Sequence, residues 1–199
     1  MKKCLGLLLF LLLVGCGKDT QSNVSTAKDA PAAKQELKFE FANLRAAIAA
    51  TRLDMSDIQG TNISKGAAVL ALWGYQGMKW SELQEIPKGK YGVVMKDPDS
   101  QRGSRLCVYG QVIEIAVDKS VPQKIYQGGI FDDDGRIYRF IAVGSTGEIV
   151  AHSYANFCGI VTGQQHYANS MGGEAHAVHL VGMFDLPENK PGKVEKPSM

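Results

Sequence analysis

The spacing of apolar residues changes near residue 100, and the change predicts two kinds of structure. Before it, Leu37, Phe41, Leu44 and Ile48 recur every three or four residues, as on one face of a helix. After it, apolar and polar residues alternate with a period of two, which is typical of strands. The pattern predicts an α+β chain with a helical region at 35–99 and a β region at 100–186.

Capping residues place two further helices in the first region. Ser64 is positioned to cap a helix that runs through residues 67–70 to Trp73. Ser81-Glu82-Leu83-Gln84 has the spacing of a capping box and predicts a short third helix that Pro87 ends. Residues 96–99, an acidic and proline-containing run, are expected to form a turn.

The β region contains five strand-like segments separated by turn residues. Asp134-Gly135 favours a hairpin turn, and the glycine-rich residues 163–173 are expected to form a loop. Glycines within the segments favour bulges and a curled sheet. The predicted strands are 105–117, 124–131, 136–143, 155–162 and 175–183.

Five strands, with a long first strand and extra chain between the third and fourth, resemble the OB-fold, a small partly open Greek-key barrel. The resemblance implies a five-stranded antiparallel barrel that follows the helices. It also makes the first and fourth strands neighbours, which brings Cys107 close to Cys158. A small β-sandwich and an SH3-like barrel are alternatives that the strand pattern leaves open.

The first residues have the organisation of an export signal. Lys2 and Lys3 precede an apolar run from Leu5 to Val14, which is too short to span a bilayer. Leu13-Val14-Gly15-Cys16 resembles the lipobox of bacterial lipoproteins. The resemblance implies cleavage of residues 1–15 and attachment of diacylglycerol and a fatty acid such as palmitate to Cys16. Because Gly17 follows instead of Asp, it also implies the periplasmic face of the outer membrane.

Two further segments have compositions that cannot bury a core. Residues 16–34 combine the lipidated cysteine with small and polar residues, and are expected to form a flexible tether with a reach of about 20–25 Å. Residues 187–199 carry three prolines among charged residues, and are expected to be a disordered tail.

The cysteines predict one disulfide. Cys4 leaves with the signal and Cys16 carries lipid, so Cys107 and Cys158 are the two that remain of four. An oxidising envelope favours their pairing, and closing a loop of this length stabilises by about 4 kcal/mol in the chain-entropy model. Two free thiols, or a catalytic Cys–His pair, are the alternatives.

The charge of the chain argues against a nucleic-acid partner. The full chain has a formal net charge of +2, but the signal removes Lys2 and Lys3, which leaves the mature chain neutral. Residues 100–186 contain more acidic than basic side chains, whereas a nucleic-acid groove should be basic. We therefore expect no nucleic-acid partner.

The histidines raise the question of a metal site. All four, His152, His166, His176 and His179, lie in the last third of the chain. His176 and His179 are three apart on a predicted strand and so point to opposite faces. The sequence therefore predicts no preformed multi-histidine site, no metal and no cofactor. The alternative is a site that combines Glu174, His176 and His166.

No residue is assigned a catalytic role. The acidic run 132–134 lacks the alternate spacing of a calcium loop. Nucleophile-elbow, P-loop, HExxH and GxGxxG motifs do not occur.

These observations favour a noncatalytic envelope lipoprotein, anchored in the membrane through lipid, that binds a protein or glycan partner. The expected contact residues lie in the loop after the fourth strand, since loops on a rigid scaffold often carry recognition. The alternatives are an envelope hydrolase that uses His166 or His176, and an exclusion or immunity lipoprotein of a mobile element. The predicted binding residues are Gln164, Gln165, His166, Tyr167 and Asn169.

Overall fold

The structure is a computed structural model that describes residues 39–169 and 172–190. The predicted signal, the lipidated Cys16 and the tether lie outside these residues, as does the tail from residue 191 onwards. No helix in the described ranges is long and apolar enough to cross a membrane.

Helices occupy the first part of the described chain, and most are short. Single 3₁₀ turns lie at Arg52–Asp54 and Pro187–Asn189. The α-helices are α1 (Leu44–Thr51), α2 (Lys65–Gly77), α3 (Trp80–Glu85), α4 (Tyr91–Val94) and α5 (Pro98–Gln101).

The strands form one mixed sheet that closes on itself. Hydrogen bonding runs from β2 to β3, β4, β6 and β5 and back to β2, and β1 is attached outside this ring to β5. The β4–β6 and β1–β5 pairs are parallel, and the other pairs are antiparallel. The strands are β1 (Ile58–Gln59), β2 (Arg105–Val117), β3 (Tyr126–Phe131), β4 (Ile137–Ala142), β5 (Tyr154–Ala168) and β6 (Glu174–Phe184).

The predicted combination of helices and a small closed sheet is therefore confirmed, but the five-stranded antiparallel barrel is wrong. Within the described residues the sheet has six strands. The additional strand, β1, was not predicted because its two residues are too few to show an alternating pattern. The sheet is mixed, because β6 returns beside β4 in the same direction, and strand direction is not encoded in hydrophobic spacing.

Alternate residues of the ring fill its interior. Phe140, Phe157 and Phe184 are fully buried there, with ring centroids 5.0–5.3 Å apart. Gly128 allows this packing, since a Cβ at that position would lie 2.5 Å from the ring of Phe140. The aromatic cluster explains how a ring of short strands holds a filled core.

A second apolar cluster lies between the helices and the outside of the ring. Leu44, Leu70 and Leu83 from the helices pack with outward-facing residues of the strands such as Ile141 and Ile160. All five side chains are buried. One half of the outer surface of the barrel is therefore covered by helices.

The first helix begins later than its apolar spacing predicts. Asn43 ends the preceding extended segment, and its side chain accepts a hydrogen bond from the backbone N–H of Ala46 at 3.0 Å. Phe41 therefore lies outside the helix, and its ring packs edge-on against Trp73 with centroids 6.1 Å apart. Leu37 lies outside the described residues.

The other helix signals have mixed outcomes. Ser64 caps α2 as predicted, by accepting a hydrogen bond from Ala67 N at 3.3 Å. The capping box is wrong, because α3 begins after Lys79 without a side-chain cap. Its glutamate, Glu82, instead accepts a hydrogen bond from the backbone N–H of Leu44 at 2.8 Å, which joins α3 to α1. The helix ends before Pro87, as expected.

Two segments expected to be irregular are folded. Asp97 accepts a hydrogen bond from Ser100 N at 3.3 Å and caps the short helix α5, where a turn was predicted. The predicted disordered tail is wrong for its first residues. The Asn189 side chain donates to the carbonyls of Ser145 and Phe184 at 2.8 and 2.9 Å.

The predicted pairing of Cys107 with Cys158 is present. The two residues are directly opposite each other on the antiparallel pair β2–β5, with their Cα atoms 4.0 Å apart and their sulfurs at bonding distance. Cys107 is exposed, whereas Cys158 is buried under the helices. The bridge therefore lies at the edge of the helix-covered half of the barrel.

Candidate functional site

The segment expected to be a recognition loop is the second half of a strand. β5 continues to Ala168, so the predicted loop is wrong for residues 163–168, which belong to the strand. A bulge at residues 161–163 permits the continuation. Gly163 has a φ of 147°, and a Cβ there would lie 2.7 Å from Asp57 Oδ1, so glycine is required. The glycine marks a close approach within a strand rather than its end.

Strand alternation separates the five predicted binding residues. Gln164 is buried and its amide donates to the carbonyl of Val94 at 2.7 Å. Gln165 is also buried, and its amide donates to the carbonyl of Gly60. Asn169 accepts from Gly173 N at 2.9 Å in the hairpin turn. His166 and Tyr167 are partly exposed on opposite faces, so the five residues do not form one surface.

Where the helices leave the outer surface of the barrel uncovered, several large apolar side chains are exposed. We call this surface the open face. Across β5, β2, β3 and β4, the residues Tyr154, Gln111, Phe131 and Ile137 lie in one row of the register. Tyr154 and Phe131 are 59% and 44% exposed. The open face consists of this row together with Tyr109 and Ile113, which are 60% and 44% exposed.

A shallow cleft of about 440 Å³ adjoins the open face. Ile113, Ile137 and Tyr167 contribute apolar walls. Glu114 and Arg139 form an ion pair at its edge, across the intervening strand β3. Gly129 lies between them in the register and has no side chain to separate them. The charges at the cleft are therefore largely neutralised within the protein.

The histidines divide into a buried residue, an exposed one and a pair. His179 is buried beside Thr162, with its Nδ1 at 2.6 Å from the hydroxyl. Burial, with a smaller contribution from the charge of Arg139, lowers the pKa of His179 to about 4. His152 is exposed, with a φ of 72°.

The pair belongs to the alternative site named from the sequence, whereas the favoured prediction was that no multi-histidine site is preformed. His176 and His179 do lie on opposite faces of β6, as predicted. His176, however, is opposite His166 on β5, and their Nδ1 atoms are 2.5 Å apart. Glu174, two residues before His176, has a carboxylate oxygen in the same group. The register of the β5–β6 hairpin would have revealed the pair, but the assumed loop concealed it.

Comparisons with known proteins provide no family. No protein-family model matches the chain, and no curated protein matches it. Among solved structures, it is similar to a mitochondrial single-stranded DNA binding protein from S. cerevisiae, with a TM-score of 0.30 and 10% sequence identity. The match covers 45% of this chain and 98% of that chain.

This comparison corrects one expectation. The exclusion of a nucleic-acid partner rested on the excess of acidic residues over basic ones in residues 100–186. The matched structure is that of a single-stranded DNA binding protein, so the exclusion is withdrawn.

Proposed function

We propose that this protein is a lipid-tethered binding module of the bacterial envelope that docks a protein partner on its open face. The ring would serve as a rigid OB-like scaffold, and the tether would hold it at the membrane. The observation that carries the proposal is the group of four exposed apolar side chains, Tyr109, Ile113, Phe131 and Tyr154, gathered around one register row that crosses four strands.

Large exposed apolar side chains are common singly, but a contiguous group of them on a sheet is typical of interaction sites. Tyr109 and Tyr154 pack with ring centroids 6.0 Å apart and expose more than half of their surfaces. Tyrosine and phenylalanine are enriched at protein interfaces, where a rigid ring contributes contact area at low entropic cost. The open face therefore has the composition of an interface core.

The polarity of the open face favours a protein over a glycan. A glycan presents many hydroxyl groups, and a site for it needs several polar side chains directed at the ligand. Gln111 is the polar member of the row, and the neighbouring Glu114 and Arg139 already pair with each other. An apolar patch on a partner protein would complement this surface without leaving polar groups unsatisfied.

The order of strands in the ring adds a supporting argument. With β2 taken as the first ring strand, the order is that of an OB-fold, and β3 and β4 are its second and third strands. OB-folds bind oligonucleotides and oligosaccharides on the face of those two strands, so the strand order supports this face as a binding surface and does not select a protein as its partner. Phe131 and Ile137 of the open face belong to them.

The anchor is proposed from the N-terminal sequence. Two or three acyl chains on Cys16 would give stable attachment, since each buried CH₂ contributes about 0.8 kcal/mol. We expect Cys16→Ser to stall processing or to release a soluble envelope form, and Gly17→Asp to move the protein from outer-membrane to inner-membrane fractions. Mass spectrometry that finds an unmodified mature terminus would contradict lipidation.

Site-specific photo-crosslinking in intact cells tests the docking face. A photoreactive phenylalanine analogue at Phe131 or Tyr154 should yield one adduct of the same mass, and the adduct at 131 should disappear in the Tyr109→Ser, Tyr154→Ser variant. Leu53 is 97% exposed in the 3₁₀ turn after α1 and provides the matched control position.

The other ligand classes are tested directly on purified protein. Adducts that are equal at Leu53 and Phe131, or absent at both, would overturn the docking proposal. Saturable binding of a peptidoglycan fragment or a single-stranded oligonucleotide, lost in the tyrosine double variant, would assign the open face to that ligand instead.

A further inference from the structure

A second group of polar side chains, separate from the open face, lies near the end of the β5–β6 hairpin. His166 and His176 are opposite each other in the register, and Glu174 precedes His176 by two residues on the same face. One donor atom from each lies within 4.8 Å of the other two. Two imidazoles and one carboxylate therefore converge on one point in the described part of the chain.

The strands on both sides of His166 fix this arrangement. β1 pairs with β5 so that Gln59 lies beside His166, and the carbonyl of His166 accepts a hydrogen bond from Gly60 N at 2.8 Å. The Gln59 amide also donates to Glu174 Oε1 at 3.3 Å. Hydrogen bonds of this kind orient metal-binding carboxylates, and they commonly accompany metal sites.

We propose that His166, Glu174 and His176 bind one divalent transition-metal ion, with Zn²⁺ as the ion that this ligand set suits best. Two histidines and a glutamate are a known zinc ligand set, and three protein ligands leave a coordination position for water or another ligand. The carboxylate offsets part of the charge of the ion. His176 and Glu174 are exposed and His166 is half-buried, so the ion can enter from solvent.

The distances require only a small adjustment. In a tetrahedral site with Zn–N bonds of 2.0–2.1 Å, two nitrogen ligands lie about 3.3 Å apart. The two Nδ1 atoms are 2.5 Å apart, so the rings must separate by slightly less than 1 Å to admit the ion. Exposed side chains can make that movement by rotation, without any shift of the paired strands.

The competing interpretation is a hydrogen bond between two neutral imidazoles, one donating and the other accepting. Such a bond would stabilise the hairpin and need no ion. It leaves Glu174 only its hydrogen bond from Gln59, whereas a metal site uses all three side chains. The two interpretations therefore differ in what a Glu174 variant does to zinc affinity.

Zinc titration of the purified full-length protein in detergent, after treatment with a chelator, tests the proposal. We expect the wild-type protein to retain one equivalent of Zn²⁺ after dialysis, and Co²⁺ in its place to give visible d–d absorption. His166→Ala and His176→Ala should each weaken zinc binding at least about tenfold, and Glu174→Gln by about tenfold, the scale on which metal ligands and their neighbours act. Zinc should also raise the melting temperature of the wild-type protein but not of His176→Ala.

His152→Asn is the matched control, because His152 is exposed and asparagine tolerates its positive φ. It should bind zinc as the wild-type protein does. Equal melting temperatures of all variants in chelator would show that they fold alike. Failure of the wild-type protein to retain zinc, or zinc retention that is unchanged in His176→Ala, would overturn the site and leave a hydrogen-bonded histidine pair.

Discussion

The two halves of the outer surface of the barrel are built from the same strands, but one half is buried under helices and the other is exposed. On β4, Ile137 and Ile141 are four residues apart and both point outward. Ile141 is nevertheless buried under the helices, whereas Ile137 belongs to the open face. On β5, Ile160 is buried while Tyr154 is 59% exposed. The comparison teaches that apolar residues on a strand are not evidence of a core position. What distinguishes the halves is whether another element covers them.

The disulfide lies at the edge of the helix-covered half, and its removal is expected to have the largest effect. Replacing both Cys107 and Cys158 with alanine should lower the free energy of unfolding by roughly 2–5 kcal/mol, because the unfolded chain loses a constraint that spans 51 residues. Denaturant unfolding measures the loss. Reduced wild-type protein should show a similar midpoint, and two reactive thiols in the unreduced, denatured wild-type protein would contradict the bridge.

Truncation of one isoleucine in each half measures the comparison directly. Ile160→Ala should cost about 2–5 kcal/mol, since it removes a fully buried side chain and leaves a cavity. Ile113→Ala should cost less than about 1 kcal/mol, because 44% of its surface is already exposed. Urea unfolding of both variants checks this. Equal losses would mean that the open face contributes to stability as a core does.

Much of the β region could be predicted because its residues alternate clearly. The predicted strand 105–117 matches β2, and the Asp134-Gly135 turn joins β3 to β4, with Gly135 at a φ of 80°. Which strands pair with one another was harder to predict from the sequence. The closure of the ring depends on contacts between β5 and β6, and β1 contributes two residues from within the helical region.

The candidate sites were the least predictable part. Glycine was interpreted as a loop residue, so Gly163 concealed the continuation of β5 and with it the register that pairs His166 with His176. The open face could not be predicted because exposure of Phe131 depends on where the helices end, which spacing along the strands does not encode.

Measuring the free energy of unfolding as a function of pH tests His179, the buried residue that lies opposite Arg139 of the cleft. Arg139 at the cleft lies opposite His179, whose folded pKa is about 4 against an ordinary value near 6.5. Since the folded pKa is lowered, the unfolded chain binds the proton first, and stability falls as the pH drops from about 6.5 to 4. The loss at pH 4 should reach about 3 kcal/mol.

His179→Gln removes that titration and identifies its source. The variant should lose the additional pH dependence between 6.5 and 4, while His152→Asn should retain the wild-type slope. Urea unfolding at a series of pH values measures both. If His179→Gln unfolds with the same pH dependence as the wild-type protein, another group is responsible.

The Glu114–Arg139 ion pair at the cleft beside the open face should have the smallest effect. Glu114 is 60% exposed and Arg139 is 23% exposed, so water and salt screen their attraction. A double-mutant cycle with Glu114→Gln and Arg139→Gln should give a coupling of at most about 1 kcal/mol, which declines further in 0.5 M salt. The prediction follows from the open face being an uncovered surface whose charges are neutralised without being buried. A coupling well above that value, unaffected by salt, would indicate instead that the pair holds β2, β3 and β4 together. This surface would then contribute to folding stability, as the helix-covered half does.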